Sequence, residues 1–201
     1  MDINEERDGG NITLSIQYDD KDTHTIIRSF PTDNFNDGKL KNIGKVKICT
    51  ASKEKTSSSN TKYLTGKEQI LIPDTKYDNT YFGYSLAVSS DGSILAVGCP
   101  GNCIEDIKGT INGSGCVYVY KLIDGRYSLR DIVIPSTLIP NLYFGSTVRI
   151  DGNILTVGCL SLGLSIDPSS NDCRIETINL EKLSINNYKA KFKSQLKYRR
   201  R

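Results

Sequence analysis

Six cysteines and a single histidine are the residues in this 201-residue chain best suited to metal or nucleophilic chemistry. The cysteines stand at 49, 99, 103, 116, 159 and 173. Cys99 and Cys103 are separated by three residues, where a zinc knuckle uses two. One histidine leaves little for a mixed zinc site. His24 sits in Thr23-His24-Thr25-Ile26-Ile27, a strand-like stretch with no nucleophile or orienting group beside it for general-base work. There is no Gly-x-Ser-x-Gly elbow. Gly38-Lys39-Leu40-Lys41-Asn42-Ile43-Gly44-Lys45 looks like a phosphate loop, but its second glycine comes one residue late. Val46 also stands where a Mg²⁺-binding hydroxyl belongs. These observations point away from an enzyme. They lead us to expect no catalytic residue, no cofactor and no metal site.

The elements that would position any site are repeats. Gln69-Ile70-Leu71-Ile72-Pro73 leads to Tyr81-Phe82-Gly83, then to Asp91-Gly92-Ser93-Ile94-Leu95-Ala96-Val97-Gly98-Cys99. The same order returns as Asp131-Ile132-Val133-Ile134-Pro135, Tyr143-Phe144-Gly145 and Asp151-Gly152-Asn153-Ile154-Leu155-Thr156-Val157-Gly158-Cys159. Gly115-Cys116-Val117-Tyr118-Val119-Tyr120 has a weaker counterpart in Asp172-Cys173-Arg174-Ile175-Glu176-Thr177. A fainter copy precedes both: residues 8–16 resemble the Asp-Gly block and Gly44–Cys49 the Gly-Cys-Val-Tyr block. On that alignment the Phe-Gly half of the first copy would lie before Met1.

Each unit reads as short strands. The runs are β-branched, aromatic or alternating, with Asp-Gly turns between them and prolines at their ends. Thr50–Thr61, Gly101–Ser114 and Ser161–Asn171 read as polar loops. No segment before residue 180 has helical periodicity, so the expected class is all-β. The organisation expected is an incomplete first repeat over 1–62, a repeat over 63–130, a weaker one over 131–185, and a basic strand or tail over 186–201.

The landmarks resemble the FG-GAP repeat, the blade of integrin-α-like β-propellers. Phe82, Gly83, Asp91, Gly92 and Gly98 carry the likeness in one copy. Phe144, Gly145, Asp151, Gly152 and Gly158 carry it in the other, where Leu160 replaces the usual proline. The resemblance implies a partial propeller of about two and a half to three four-stranded antiparallel blades. It also implies a non-enzymatic role in protein binding or assembly. Integrin-type blades often hold calcium on Asp-x-Asp-x-Asp-Gly, whose alternating oxygens suit a hard cation. Here Ser89 and Ala87 precede Asp91, and Arg149 and Thr147 precede Asp151. Neither loop can bind calcium in that way. Asn4, Glu6 and Asp8 have suitable spacing, against which stands the plainer reading of a solvated acidic terminus.

The repeat also pairs the cysteines. Cys99 and Cys116 correspond to Cys159 and Cys173, each pair near the end of one strand and the start of the next, where hairpin partners come within disulfide reach. Reduced thiols are the expectation inside a cell, and disulfides the expectation if the chain belongs to a secreted parent. Asn11-Ile12-Thr13 and Asn112-Gly113-Ser114 are glycosylation sequons that matter only in the secreted case. The start, Met1-Asp2-Ile3-Asn4-Glu5-Glu6-Arg7, lacks the basic and then apolar pattern of a signal peptide. No run approaches the roughly 20 apolar residues of a membrane span.

Charge is unevenly placed. Residues 1–181 carry 18 basic against 23 acidic groups. Lys182, Lys189, Lys191, Lys193, Lys197, Arg199, Arg200 and Arg201 follow with no acid among them. Lysines on an edge strand discourage aggregation. A triple arginine is equally suited to phosphate, so nucleic acid stays open as a partner through the tail, as in a particle or ribonucleoprotein. A third reading is a fragment of an extracellular adhesion or hydrolase-associated propeller. A propeller closes with at least about four blades, so this chain is expected to leave open, apolar blade faces. Val117, Val119, Ile132 and Ile134 are the side chains expected there, covered by a protein partner or by self-association.

Overall fold

Strands account for almost all of the regular structure, as the alternating and β-branched runs dictate. The computed structural model describes residues 12–17, 23–35, 38–54, 62–75, 77–106, 109–160 and 175–183. β1 (Ile12–Gln17), β2 (Thr23–Phe30), β3 (Lys45–Glu54) and β4 (Lys62–Leu71) pair in chain order as one antiparallel sheet. β5 (Leu86–Val88), β6 (Ile94–Cys99), β9 (Cys116–Ile123) and β10 (Arg126–Val133) form the second in the same way. Between β6 and β9 lies a small hairpin, β7 (Ile104–Asp106) with β8 (Gly109–Ile111). The third sheet contains β11 (Phe144–Asp151), β12 (Ile154–Cys159) and β13 (Ile175–Asn179), followed by a single 3-10 turn at Leu180–Lys182.

The sheets stack face to face over two cores. Ile27, Val46, Ile48 and Leu71 of the first sheet meet Leu95, Val97, Tyr118 and Ile132 of the second, with Phe82 between them. Ala96, Val117 and Val119 of the second sheet meet Leu155 and Val157 of the third, with Phe144 between them. Successive side chains of a strand point to opposite faces, so β6 sends Leu95 and Val97 to one core and Ala96 to the other. Burial on both faces explains its unbroken apolar run.

The sheets are offset from the sequence repeats. Gln69–Pro73 ends β4 and Asp131–Pro135 ends β10, so the head of each repeat closes the sheet before it. The sheet boundaries therefore fall after Leu71 and Val133. The expected boundary at 62/63 lies within β4, and that at 130/131 within β10.

Several expectations need correction. Gly44 precedes β3 as Gly115 precedes β9, which makes β2, not β1, the counterpart of β6. β1 is the first strand of that sheet, so residues 12–16 do not hold the place of the Asp-Gly strand, while residues 8–11 lie outside the described residues. The expected loop over Thr50–Thr61 is shortened at its start by β3, which runs to Glu54, and that over Gly101–Ser114 contains the β7–β8 hairpin.

The expected open faces are also revised. Val117 and Val119 are fully buried and Ile132 is 7% exposed, because the neighbouring sheets cover both faces of the second. On the outer face of the first sheet, Arg28, Lys45 and Lys47 take the places of Val97, Cys116 and Tyr118. Lys45 pairs with Asp33 at 3.0 Å. Lys45 and Lys47 lie 5.2 and 5.5 Å from the centre of the Phe30 ring. Among the described residues that face mixes these charges with Ile70, which pairs with Lys47 and is 52% exposed.

Candidate protein-docking site

Each Phe-Gly corner seats in the sheet before it. Asn79, Tyr81 and Phe82 donate backbone hydrogen bonds to the carbonyls of Lys41, Asn42 and Ile43, at 2.8, 3.0 and 2.9 Å. Asn141, Tyr143 and Phe144 do the same to Asn112, Gly113 and Ser114, at 2.9, 2.9 and 3.1 Å. Tyr81 and Tyr143 hold left-handed φ values of 53° and 52°, a costly conformation for a bulky residue that the surrounding bonds fix. Gly44 and Gly115, at φ 84° and 80°, lie against the Phe82 and Phe144 backbones, where a β-carbon would collide. Two corners and two seats share one geometry.

The seat for the glycine of the corner is a three-residue socket. Ser85 Oγ donates to the Gly145 carbonyl at 2.7 Å. Gly98 leaves the space that this carbonyl fills, and a β-carbon there would strike it. Val117 Cγ2 completes the wall, 3.1 Å from where a Gly145 β-carbon would be. At the first seam Ser29 and Val46 take the same places beneath Gly83, whose β-carbon would lie 2.9 and 3.1 Å from them.

A third socket is present on the outer face of the third sheet. Thr147, Gly158 and Ile175 occupy the places of Ser85, Gly98 and Val117: hydroxyl, glycine and β-branched aliphatic. Ser85 is buried, whereas Thr147 is exposed and Ile175 is 69% exposed. Among the described residues a β-carbon at Gly158 would meet only the Thr147 side chain, with no carbonyl of another sheet above it. Ile154 is 40% exposed on the same face. Around it Arg149, Thr156 and Thr177 replace Ala87, Ala96 and Val119.

The residues singled out in the sequence separate into seams and surfaces. Phe82, Gly83, Gly98, Phe144 and Gly145 build the seams. Asp91, Gly92, Asp151 and Gly152 form turns. Asp91 Oδ1 accepts from Ser89 Oγ at 2.6 Å and from the Ser93 amide at 3.0 Å, and these bonds hold its carboxyl below the usual range. Asp151 stands 3.8 Å from Arg149, both exposed. Asn4, Glu6 and Asp8 lie outside the described residues. So do Cys173 and the basic residues Lys189, Lys191, Lys193, Lys197, Arg199, Arg200 and Arg201.

Cys99 and Cys116 are directly opposite on β6 and β9 and fully buried. Both are free thiols. Cys99 Sγ donates to the Thr80 carbonyl and Asn102 Nδ2 donates to Cys116 Sγ, each at 3.3 Å. Burial first, and the hydrogen bond with Cys116 second, push the Cys99 thiol well up. Burial, aided by Glu68, also raises Cys49. Protonated thiols are poor nucleophiles and poor metal ligands. Cys159 ends β12 as Cys99 ends β6, and its expected partner Cys173 lies outside the described residues.

Sequence reading found the corners but missed their sockets. A signal was present: a hydroxyl two residues after each Phe-Gly, Ser85 in one copy and Thr147 in the other. No family model matches the chain, and no curated protein matches it.

Proposed function

We infer that this chain is a non-enzymatic repeat module whose sheets are FG-GAP-type propeller blades and whose work is to bind or assemble with another protein. The observation that carries the reading is the repeated seating of a Phe-Gly corner in the preceding sheet, with one further socket left exposed. A chain that stacks blades in this way has a ready surface for one more. The thiol of Cys99 is buried and held protonated, which favours packing over chemistry. Exposed Ile175 and Ile154, set among polar residues, suit a contact surface.

The test is site-specific photo-cross-linking of the whole chain in extracts of its source. A cross-linkable residue replacing Ile175 should capture one recurrent polypeptide, identified by mass spectrometry. The same residue at Asp124, on an exposed turn of the second sheet, should not. Equal capture at both places would overturn the reading. Retention of nucleic acid that falls steeply with salt would overturn it in favour of a nucleic-acid role.

A further inference from the structure

We propose that the third socket, formed by Thr147, Gly158 and Ile175, docks the Phe-Gly corner of a separate protein built from the same repeat. This rests on the assembly reading above and names its partner. One interface continues through the stack. At two seams a small residue, Ser29 or Gly98, and a valine, Val46 or Val117, receive the glycine of a corner. At the second, a hydroxyl also binds its carbonyl. The third sheet presents the same three kinds of residue at the same register positions, exposed.

The chemistry of the occupant follows. Gly158 leaves room for a carbonyl oxygen, and Thr147 Oγ can donate to it. Ile175 can pack against a backbone that carries no side chain. A Phe-Gly dipeptide held in a left-handed corner meets all three requirements, and a residue with a β-carbon at the glycine place would strike Ile175. A second copy of this chain is not the occupant, because its Phe82 and Phe144 are fully buried in its own seams. Arg149, Thr156 and Thr177 replace the alanines and valine that hold the second seam. The partner must therefore be polar opposite them, and a face like that of β12, with Leu155 and Val157, is rejected.

The probe is a cyclised peptide with the sequence of residues 139–147, Ile-Pro-Asn-Leu-Tyr-Phe-Gly-Ser-Thr, titrated into the full chain by NMR. The amide signals of Thr147, Gly158 and Ile175 should shift together and saturate. The shifts should vanish in Gly158→Val, whose side chain fills the socket and displaces the Thr147 hydroxyl, and the melting curve of that variant confirms that it is folded. They should also vanish with a peptide whose Phe is Ala. Three outcomes overturn the proposal: no shifts at millimolar peptide, shifts confined to other sites, or shifts that survive Gly158→Val. Concentration-dependent dimerisation abolished by Gly158→Val overturns it too, since the occupant would then be a second copy. Failure of the wider reading looks different. A partner cross-linked at residue 175 that contains no Phe-Gly corner sinks this proposal and leaves the binding module intact.

Discussion

Gly98 lies directly beneath the carbonyl of Gly145, and its missing side chain is the space that carbonyl occupies. Gly158 holds the same place on the next sheet, where Thr147 alone among the described residues lies above it. The pair makes an internal control. Gly98→Ala should destabilise the chain by about 1–3 kcal/mol, the cost of overpacking a close seam. Gly158→Ala should cost clearly less, because its β-carbon meets a Thr147 hydroxyl that can turn aside and no backbone carbonyl among the described residues. Urea titrations of the two variants decide the matter. Equal losses would mean that the sockets are not equivalent.

Phe82 and Phe144 are both fully buried, each at the centre of one core, and Phe82 meets Tyr118 edge-on with ring centres 5.1 Å apart. Truncation of either to Ala should cost about 3–5 kcal/mol. The same denaturation series reads it, and a variant that unfolds with the parent would break the equivalence of the corners.

Ser114 has its hydroxyl buried without a hydrogen-bond partner. Its counterpart in the first seam is Ile43, whose carbonyl accepts from Thr80 Oγ at 2.9 Å. At the second seam Leu142 stands where Thr80 would, so no hydroxyl answers. A buried unsatisfied polar group costs about 1–3 kcal/mol. Ser114→Ala should therefore leave the melting temperature unchanged or raise it, and a clear fall would show that the hydroxyl is satisfied in solution.

The class and the corners were legible in the sequence because they are written in local chemistry: Asp-Gly turns, alternation, and Phe-Gly repeated at a fixed spacing. The first sheet was not, for a physical reason. Its outer face packs against no described sheet, so Arg28, Lys45 and Lys47 stand where the second sheet keeps Val97, Cys116 and Tyr118. The landmark residues are thereby lost. Which face each residue takes was equally hidden. Val117 and Val119 are apolar whichever neighbour covers them. The socket was half legible, since Thr147 echoes Ser85, but nothing local reveals that Ile175 stands beside Gly158.

The buried thiol of Cys99 makes the fold sensitive to alkali. Burial holds it protonated well above its ordinary 9.0, and the hydrogen bond with Cys116 adds to this. The unfolded chain has no such burial, so there the thiol ionises from about 9.0 upward. Above that pH the unfolded state binds fewer protons than the folded one, and stability falls as pH rises. The contribution is complete below 9.0 and is lost by at most about 1.4 kcal/mol per pH unit for one such group. Burial raises Tyr120 above its ordinary 10.0 as well, which steepens the loss beyond that point. The urea midpoint should be level from neutral pH to 9.0 and then decline, and Cys99→Val should flatten the decline between 9.0 and 10.0. In the native protein a thiol reagent should modify half-buried Cys49 and Cys103 before Cys99 and Cys116. If Cys99 reacts as fast as Cys103, or if the midpoint is level through 10.0, the thiol is not held as the fold places it.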